Sequence, residues 1–247
     1  MKFTEMKLRA MNAVKAYFKR DWKKRDMMNS EEIPLYAYKS LKKVYLTLFC
    51  AMLSSTVGSF LHLIWEAGGF FTVIISAASI LSLYLTPAMK VKKRVLYLMI
   101  AAYSLGASVG LLTEYNFGID QGFVFSFLGG TTIGFGTFWF GAMFTRQRID
   151  LYIGCLLHSY AFMYLWFVTA SDIFGGHTTR WMIKVLAVLA LYMGYFVIYS
   201  QEILYNARYG DVNFVNCTFT VFFHLPAIVV HAARVYLVAE IEHYRQN

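Results

Sequence analysis

From residue 44 to residue 238 the chain is almost continuously apolar, interrupted about every twenty residues by a short polar or charged stretch. A lipid hydrocarbon core about 30 Å thick is crossed by roughly 20 apolar helical residues, because backbone polar groups inside it must be satisfied within the segment. Only 15% of the 247 residues are charged and 58% are hydrophobic, whereas average soluble domains carry about 25% charged residues. No single soluble core can bury so much apolar surface. The expected fold is therefore all-α, a polytopic membrane protein built as a seven-transmembrane-helix bundle.

The punctuation divides the run into seven spans, at residues 44–65, 68–88, 95–113, 122–144, 151–170, 183–204 and 214–238. Around this membrane domain (44–238) lie a basic N-terminal segment, 1–43, and a short tail, 239–247. Only Glu66 and Ala67 separate the first two spans, which predicts a tight antiparallel hairpin. Gly106 and Gly110 form a GxxxG in the third span, and Gly129, Gly130, Gly134, Gly136 and Gly141 line the fourth. Such spacing lets helix backbones approach closely in lipid. The fourth-span glycines are no phosphate loop, since no Gly-Lys-Ser/Thr follows them. There is no fixed-period repeat and no inverted copy of the kind found in transporters built from paired halves.

Orientation is read from Lys and Arg. Residues 1–43 hold twelve of the 23 basic residues, and Lys90, Lys92, Lys93 and Arg94 follow the second span. Arg146 and Arg148 follow the fourth and Arg208 the sixth, while the loop 114–121 has none. The N-terminus is thus expected in the cytosol. Seven complete spans put the C-terminus on the far side, and a re-entrant seventh returns it to the cytosol. The net charge of +9 follows from this placement, so no nucleic-acid partner is expected. Phe3, Met6, Met11, Val14, Phe18 and Trp22 recur at helical spacing among lysines and arginines, the pattern of a basic helix lying on an anionic leaflet. A mitochondrial presequence is the alternative, disfavoured by Glu5, Asp21 and Asp26.

No catalytic motif stands out, and no enzyme activity or cofactor is expected. Cys50, Cys155 and Cys217 have unrelated spacings and form neither a zinc pattern nor a disulfide framework. His62, His158, His224 and His231 are scattered over three spans and read most simply as interfacial or hydrogen-bonded to a neighbouring helix. The ionisable residues late in the chain say more, because charges inside spans are expensive and mark ion or proton routes. Glu202, His224, His231 and Arg234 are of this kind, and Pro226 is expected to kink the last helix. The plainer reading has Arg234 snorkelling to an interface and Glu202 ending a helix.

Several segments, taken in order, resemble one family. Leu41-Lys42-Lys43-Val44-Tyr45-Leu46-Thr47-Leu48 and Gly58-Ser59-Phe60-Leu61-His62 lie in the first span, and Gly106-Ala107-Ser108-Val109-Gly110 in the third. Arg146-Gln147-Arg148-Ile149-Asp150-Leu151-Tyr152-Ile153-Gly154 opens the fifth, followed by Ile173-Phe174-Gly175-Gly176, Ser200-Gln201-Glu202-Ile203 and Tyr209-Gly210-Asp211-Val212-Asn213-Phe214. Together these resemble the Bax inhibitor 1 (transmembrane Bax-inhibitor-motif) family, from about residue 41 to the end of the last span. The resemblance implies a seven-helix protein of the endoplasmic reticulum that suppresses cell death. It also implies Bcl-2-type cell-death regulators as partners and a pH-sensitive leak of stored calcium ions.

In the family, two aspartates on the last two helices share a proton and close the pore, a coupled pair titrating near neutral pH. Here the corresponding places fall on Tyr199 and His224, so both carboxylates are absent. A phenol stays neutral up to about pH 10, whereas an imidazole titrates near 6.5. Acid then adds positive charge and repels calcium, the reverse of removing negative charge from a dyad. The expectation is a weak or absent leak, with Tyr199, Glu202, Asp211, His224, His231 and Arg234 as the candidate gate and ion pathway. An ion channel or transporter using the last two helices as a cation route is the alternative. A membrane enzyme or a heptahelical receptor comes third, and the basic N-terminal segment argues against the receptor.

Overall fold

The computed structural model describes residues 31–66, 68–117, 121–174, 179–207, 210 and 212–224. They form helices α1 (Leu35–Trp65), α2 (Phe70–Leu85), α3 (Val91–Phe117), α4 (Gln121–Phe144), α5 (Cys155–Phe174), α6 (Thr179–Asn206) and α7 (Phe214–Phe219). One-turn π-helical segments precede α5 at Asp150–Gly154 and continue α7 at Thr220–His224. No strand occurs among the described residues, where the one β-type contact is an isolated bridge between Glu32 and Gln147. The chain is a polytopic helical membrane protein. Segments Leu35–Trp65, Gln121–Phe144, Asp150–Ile173 and Met182–Asn206 are each long and apolar enough to cross a bilayer.

The first helix begins at Leu35, well ahead of the apolar run that starts at Val44. Lys39, Lys42 and Lys43 interrupt the hydropathy there, but one face stays continuous. Ala37, Tyr38, Leu41, Val44, Tyr45 and Leu48 are all buried, at the i, i+3, i+4 spacing of a helix stripe. Residues 35–43 are therefore continuous with the first span in one helix. The amphipathic stretch at 3–22 and the tail 239–247 lie outside the described residues.

The tight turn expected between the first two spans is present, organised by His62, but α1 and α2 each pack on α3 and not on one another. Glu66 closes α1 in the left-handed conformation (φ 50°) with its N–H on the His62 carbonyl, a common helix ending. The Gly68 N–H donates to His62 Nδ1 at 2.9 Å. Gly69 then starts α2 with its N–H donating to Thr72 Oγ1 at 3.0 Å.

Close backbone approach joins α1 to α3. A Cβ on Gly106 would lie 1.9 Å from the Ser55 carbonyl oxygen, and one on Gly58 2.2 Å from that of Tyr103. Hydroxyls fasten neighbouring helices: Thr56 to Thr132 at 2.8 Å and Thr72 to Ser108 at 2.6 Å. Between them lies a knot of rings from α1, α4 and α6. Phe196 meets Phe135 at 4.9 Å and Phe138 at 5.2 Å, both edge to face, the arrangement aromatic quadrupoles favour. On the outside, Leu46, Leu53, Phe71, Leu157, Leu165 and Ile183 are exposed. Apolar patches of this extent are rare on monomeric soluble proteins and normal against lipid.

The chain before α1 and the α4–α5 connection share one end of the bundle. The Ile33 N–H donates to the Arg146 carbonyl at 2.9 Å, and Arg146 pairs with Glu32 across an exposed surface. Because the chain reverses at the turn between α1 and α2, the α2–α3 connection with Lys90, Lys92 and Lys93 returns to this end.

Candidate functional site

The helices that carry the candidate gate are α6 and α7. Ser200 sits on a buried face of α6, where the Tyr45 hydroxyl of α1 donates to its Oγ at 2.9 Å. Ser200 Oγ in turn donates to the Phe196 carbonyl at 2.9 Å. That relay holds the segment beside it in a fixed register. Tyr199, one residue earlier, turns its hydroxyl to the Cys217 thiol and the Thr220 side chain of the last helix, with Glu202 nearby on its own helix.

The last helix starts at Asn213, whose side chain accepts the Asn216 N–H at 3.2 Å, an ordinary N-cap. It stays α-helical only to Phe219 and then widens through Thr220–His224. A π turn shifts hydrogen bonding to i→i+5 and disturbs the regular carbonyl ladder. The Tyr192 hydroxyl of α6 donates to the Val221 carbonyl at 2.8 Å, in a buried setting, and so satisfies that oxygen from outside the helix. Pro226, expected to kink this segment, lies outside the described residues; the distortion that is described begins ahead of it.

The candidate residues thus fall into separate places. Tyr199 and Glu202 are together. Glu202 is buried a full turn before α6 ends at Asn206, so it does not terminate the helix. His224 is exposed, its ring edge-on to Phe219 at 5.5 Å, and it lines a cavity of about 500 Å³ with Arg94, Asn213, Asn216 and Thr220. Thr220 belongs to both groups. Asp211, His231 and Arg234 lie outside the described residues. Of the other histidines, His62 is the buried acceptor at the α1–α2 turn, and His158 bonds the Gly154 carbonyl of its own helix at 2.7 Å. Among the described residues no three of His, Cys, Asp and Glu gather as a metal site.

Sequence reasoning missed Arg94. It reads as one of four basic residues that set topology, yet its side chain is buried with Nη2 donating to Asn216 Oδ1 at 2.6 Å. The available signal was position: Arg94 is the last of its basic cluster and directly abuts the apolar run at Val95.

Comparison with known proteins gives a consistent result. Residues 38–236 match the family model described as "Inhibitor of apoptosis-promoting Bax1". The chain is similar to Bax inhibitor 1 of Arabidopsis thaliana, 34% identical over 225 residues that cover 89% of this chain and 91% of the relative. Bax inhibitor 1 of Oryza sativa subsp. japonica is 34% identical over 209 residues, covering 85% of this chain and 84% of the relative. The Homo sapiens Bax inhibitor 1 is 24% identical over 179 residues, 71% of this chain and 75% of the relative. No solved structure matches the chain.

Proposed function

The chain belongs to the Bax inhibitor 1 family, and from that premise we propose that it restrains apoptosis from an intracellular membrane, with a calcium leak that is weak or absent. The observation that carries the reading is the chemistry at the gate positions. Where the family resemblance puts one aspartate stands Tyr199, a neutral phenol facing Cys217 and Thr220. Where it puts the other stands His224, exposed and lining the cavity at Arg94. Glu202 is the one acidic residue within residues 179–206 and 212–224. With a phenol and an imidazole at the two gate positions, the pair of carboxylates whose shared proton underlies a dyad gate is absent there, and its coupled titration is lost.

On this reading the protein works without catalytic chemistry or a cofactor, in the endoplasmic reticulum bilayer, through contacts with cell-death regulators of the Bcl-2 type. The buried position of Glu202 beside Tyr199 favours a second reading, a cation pathway along α6 and α7 that needs no dyad.

Calcium efflux from dye-loaded proteoliposomes between about pH 6 and 8, where His titrates, separates the two. The native protein is expected to be silent, and Tyr199→Asp/His224→Asp to leak. A native leak abolished by Glu202→Gln supports the second reading. A native leak with dyad-like pH dependence, unchanged by His224→Ala, overturns the first.

A further inference from the structure

We propose that the cavity at Arg94 is a binding site for a phosphate group, carried by an anionic phospholipid or by a soluble phosphate compound. The inference does not depend on whether the protein conducts calcium.

Arg94 is 7% exposed, and its guanidinium stays charged at every physiological pH. Its Nη2 donates to a neutral carboxamide oxygen, Asn216 Oδ1, while its Nε is buried without a hydrogen-bond partner. Among the described residues no carboxylate pairs with it. Burying a charge is unfavourable unless it is both hydrogen-bonded and compensated, and a single amide does only the first. Among the described residues the guanidinium is therefore a cation with its charge uncompensated.

The surroundings specify which anion. Among the described residues no Asp or Glu lines the cavity, while Asn216, Thr220 and His224 add donor groups beside the guanidinium. Lys90, Lys92 and Lys93, exposed on the same connection and first turn, raise the local positive potential. A cation is repelled from such a place. Several donors converging on one guanidinium fork suit an oxyanion with more than two oxygens, and Arg matches phosphate in this geometry. About 500 Å³ also exceeds what a halide or a simple carboxylate fills. One wall is apolar, formed by Tyr84 and Leu85 at the exposed end of α2. That combination of cationic floor and lipid-facing wall suits the glycerophosphate portion of a lipid seated at the membrane surface.

The test uses the full chain in phosphatidylcholine nanodiscs, titrated by calorimetry with dioctanoyl phosphatidic acid, dioctanoyl phosphatidylcholine or inorganic phosphate. Phosphatidic acid is expected to bind, phosphatidylcholine at least tenfold more weakly, and Arg94→Gln to reduce phosphatidic acid binding at least tenfold. Since Arg94→Gln can also perturb folding, Asn216→Asp is the second variant. It sets a carboxylate where Arg94 now meets an amide oxygen, so it should fold at least as well as native and still lose binding at least tenfold. Inorganic phosphate binding as tightly as phosphatidic acid, with the same loss in both variants, supports the site and assigns it to soluble phosphates. No anion binding to the native protein overturns the proposal, as does binding that both variants retain. A native protein that binds nothing but is destabilised by Asp211→Asn would replace it with an internal counter-ion.

Discussion

Two tyrosines with similar surroundings should respond differently to loss of their hydroxyls. Tyr45 donates to Ser200, whose own hydroxyl is already committed to the Phe196 carbonyl, so Tyr45→Phe removes one hydrogen bond and strands no group. The expected loss is about 0.5–1.5 kcal/mol. Tyr192 instead supplies a donor to the Val221 carbonyl within the π turn. Tyr192→Phe leaves that buried oxygen without it, and the expected loss is about 1–3 kcal/mol. Unfolding by sodium dodecyl sulfate titration in mixed micelles measures both, and equal losses would refute the role given to Tyr192. Neither partnership is legible in the sequence, because they link residues 155 and 29 positions apart. The same holds for Arg94 and Asn216, separated by 122 positions. Local spacing reports which face a residue occupies, never which distant group meets it.

Among the helices, the contact of α1 with α3 is the tightest, and glycine makes it possible. Gly106→Ala would bring a methyl carbon to 1.9 Å from the Ser55 carbonyl oxygen. The obstacle is backbone, not a side chain that can swing away. Overpacking of this kind is expected to cost about 1–3 kcal/mol, and Gly58→Ala should behave alike. Gly194 on α6 is the internal control, since nothing lies within 4 Å of its added Cβ. Gly194→Ala should be neutral or stabilising by up to about 1 kcal/mol, as alanine is the better helix former. Thermal unfolding of the three variants in detergent would order them, and a Gly194→Ala loss as large as that of Gly106→Ala would sink the packing account. The GxxxG was visible beforehand, as were the spans themselves, because hydropathy is a local property. The early start of α1 was not, since three lysines mask a buried stripe that a window average cannot separate by face. The π turns were hidden for another reason: i→i+5 bonding is selected by tertiary partners such as Tyr192, and no residue pattern announces it.

At the scale of the whole molecule, basic residues gather at one end. Lys90, Lys92, Lys93, Arg146 and Arg148 flank the connections that return to the start of α1, while Lys184 is exposed toward the other end. With Arg180 also in the first turn of α6, five against two decides the bias by the positive-inside rule, and that end is expected to face the cytosol. A membrane-impermeant maleimide tests this after Cys50, Cys155 and Cys217 are replaced by serine. Met89→Cys and Glu32→Cys should label together from the cytosolic side of intact microsomes. Tyr115→Cys should label only after permeabilisation. Met89 and Tyr115 are 94% and 89% exposed, so failure to react would reflect sidedness and not burial. Labelling of Met89→Cys and Tyr115→Cys from the same side would refute the arrangement of α2 and α3.

The widened turn at Thr220–His224 also alters the angular bookkeeping of the last helix. A regular α-helix advances 100° per residue, and a π turn accommodates one additional residue per turn. A wheel drawn through this segment at 3.6 residues per turn therefore misplaces His224 relative to Asn213 and Asn216 by about one such step. Any periodic readout along the segment, whether spin-label accessibility or tolerance to substitution, should keep one phase up to Phe219 and break it by His224. Distances between motifs counted in turns across that point carry the same offset.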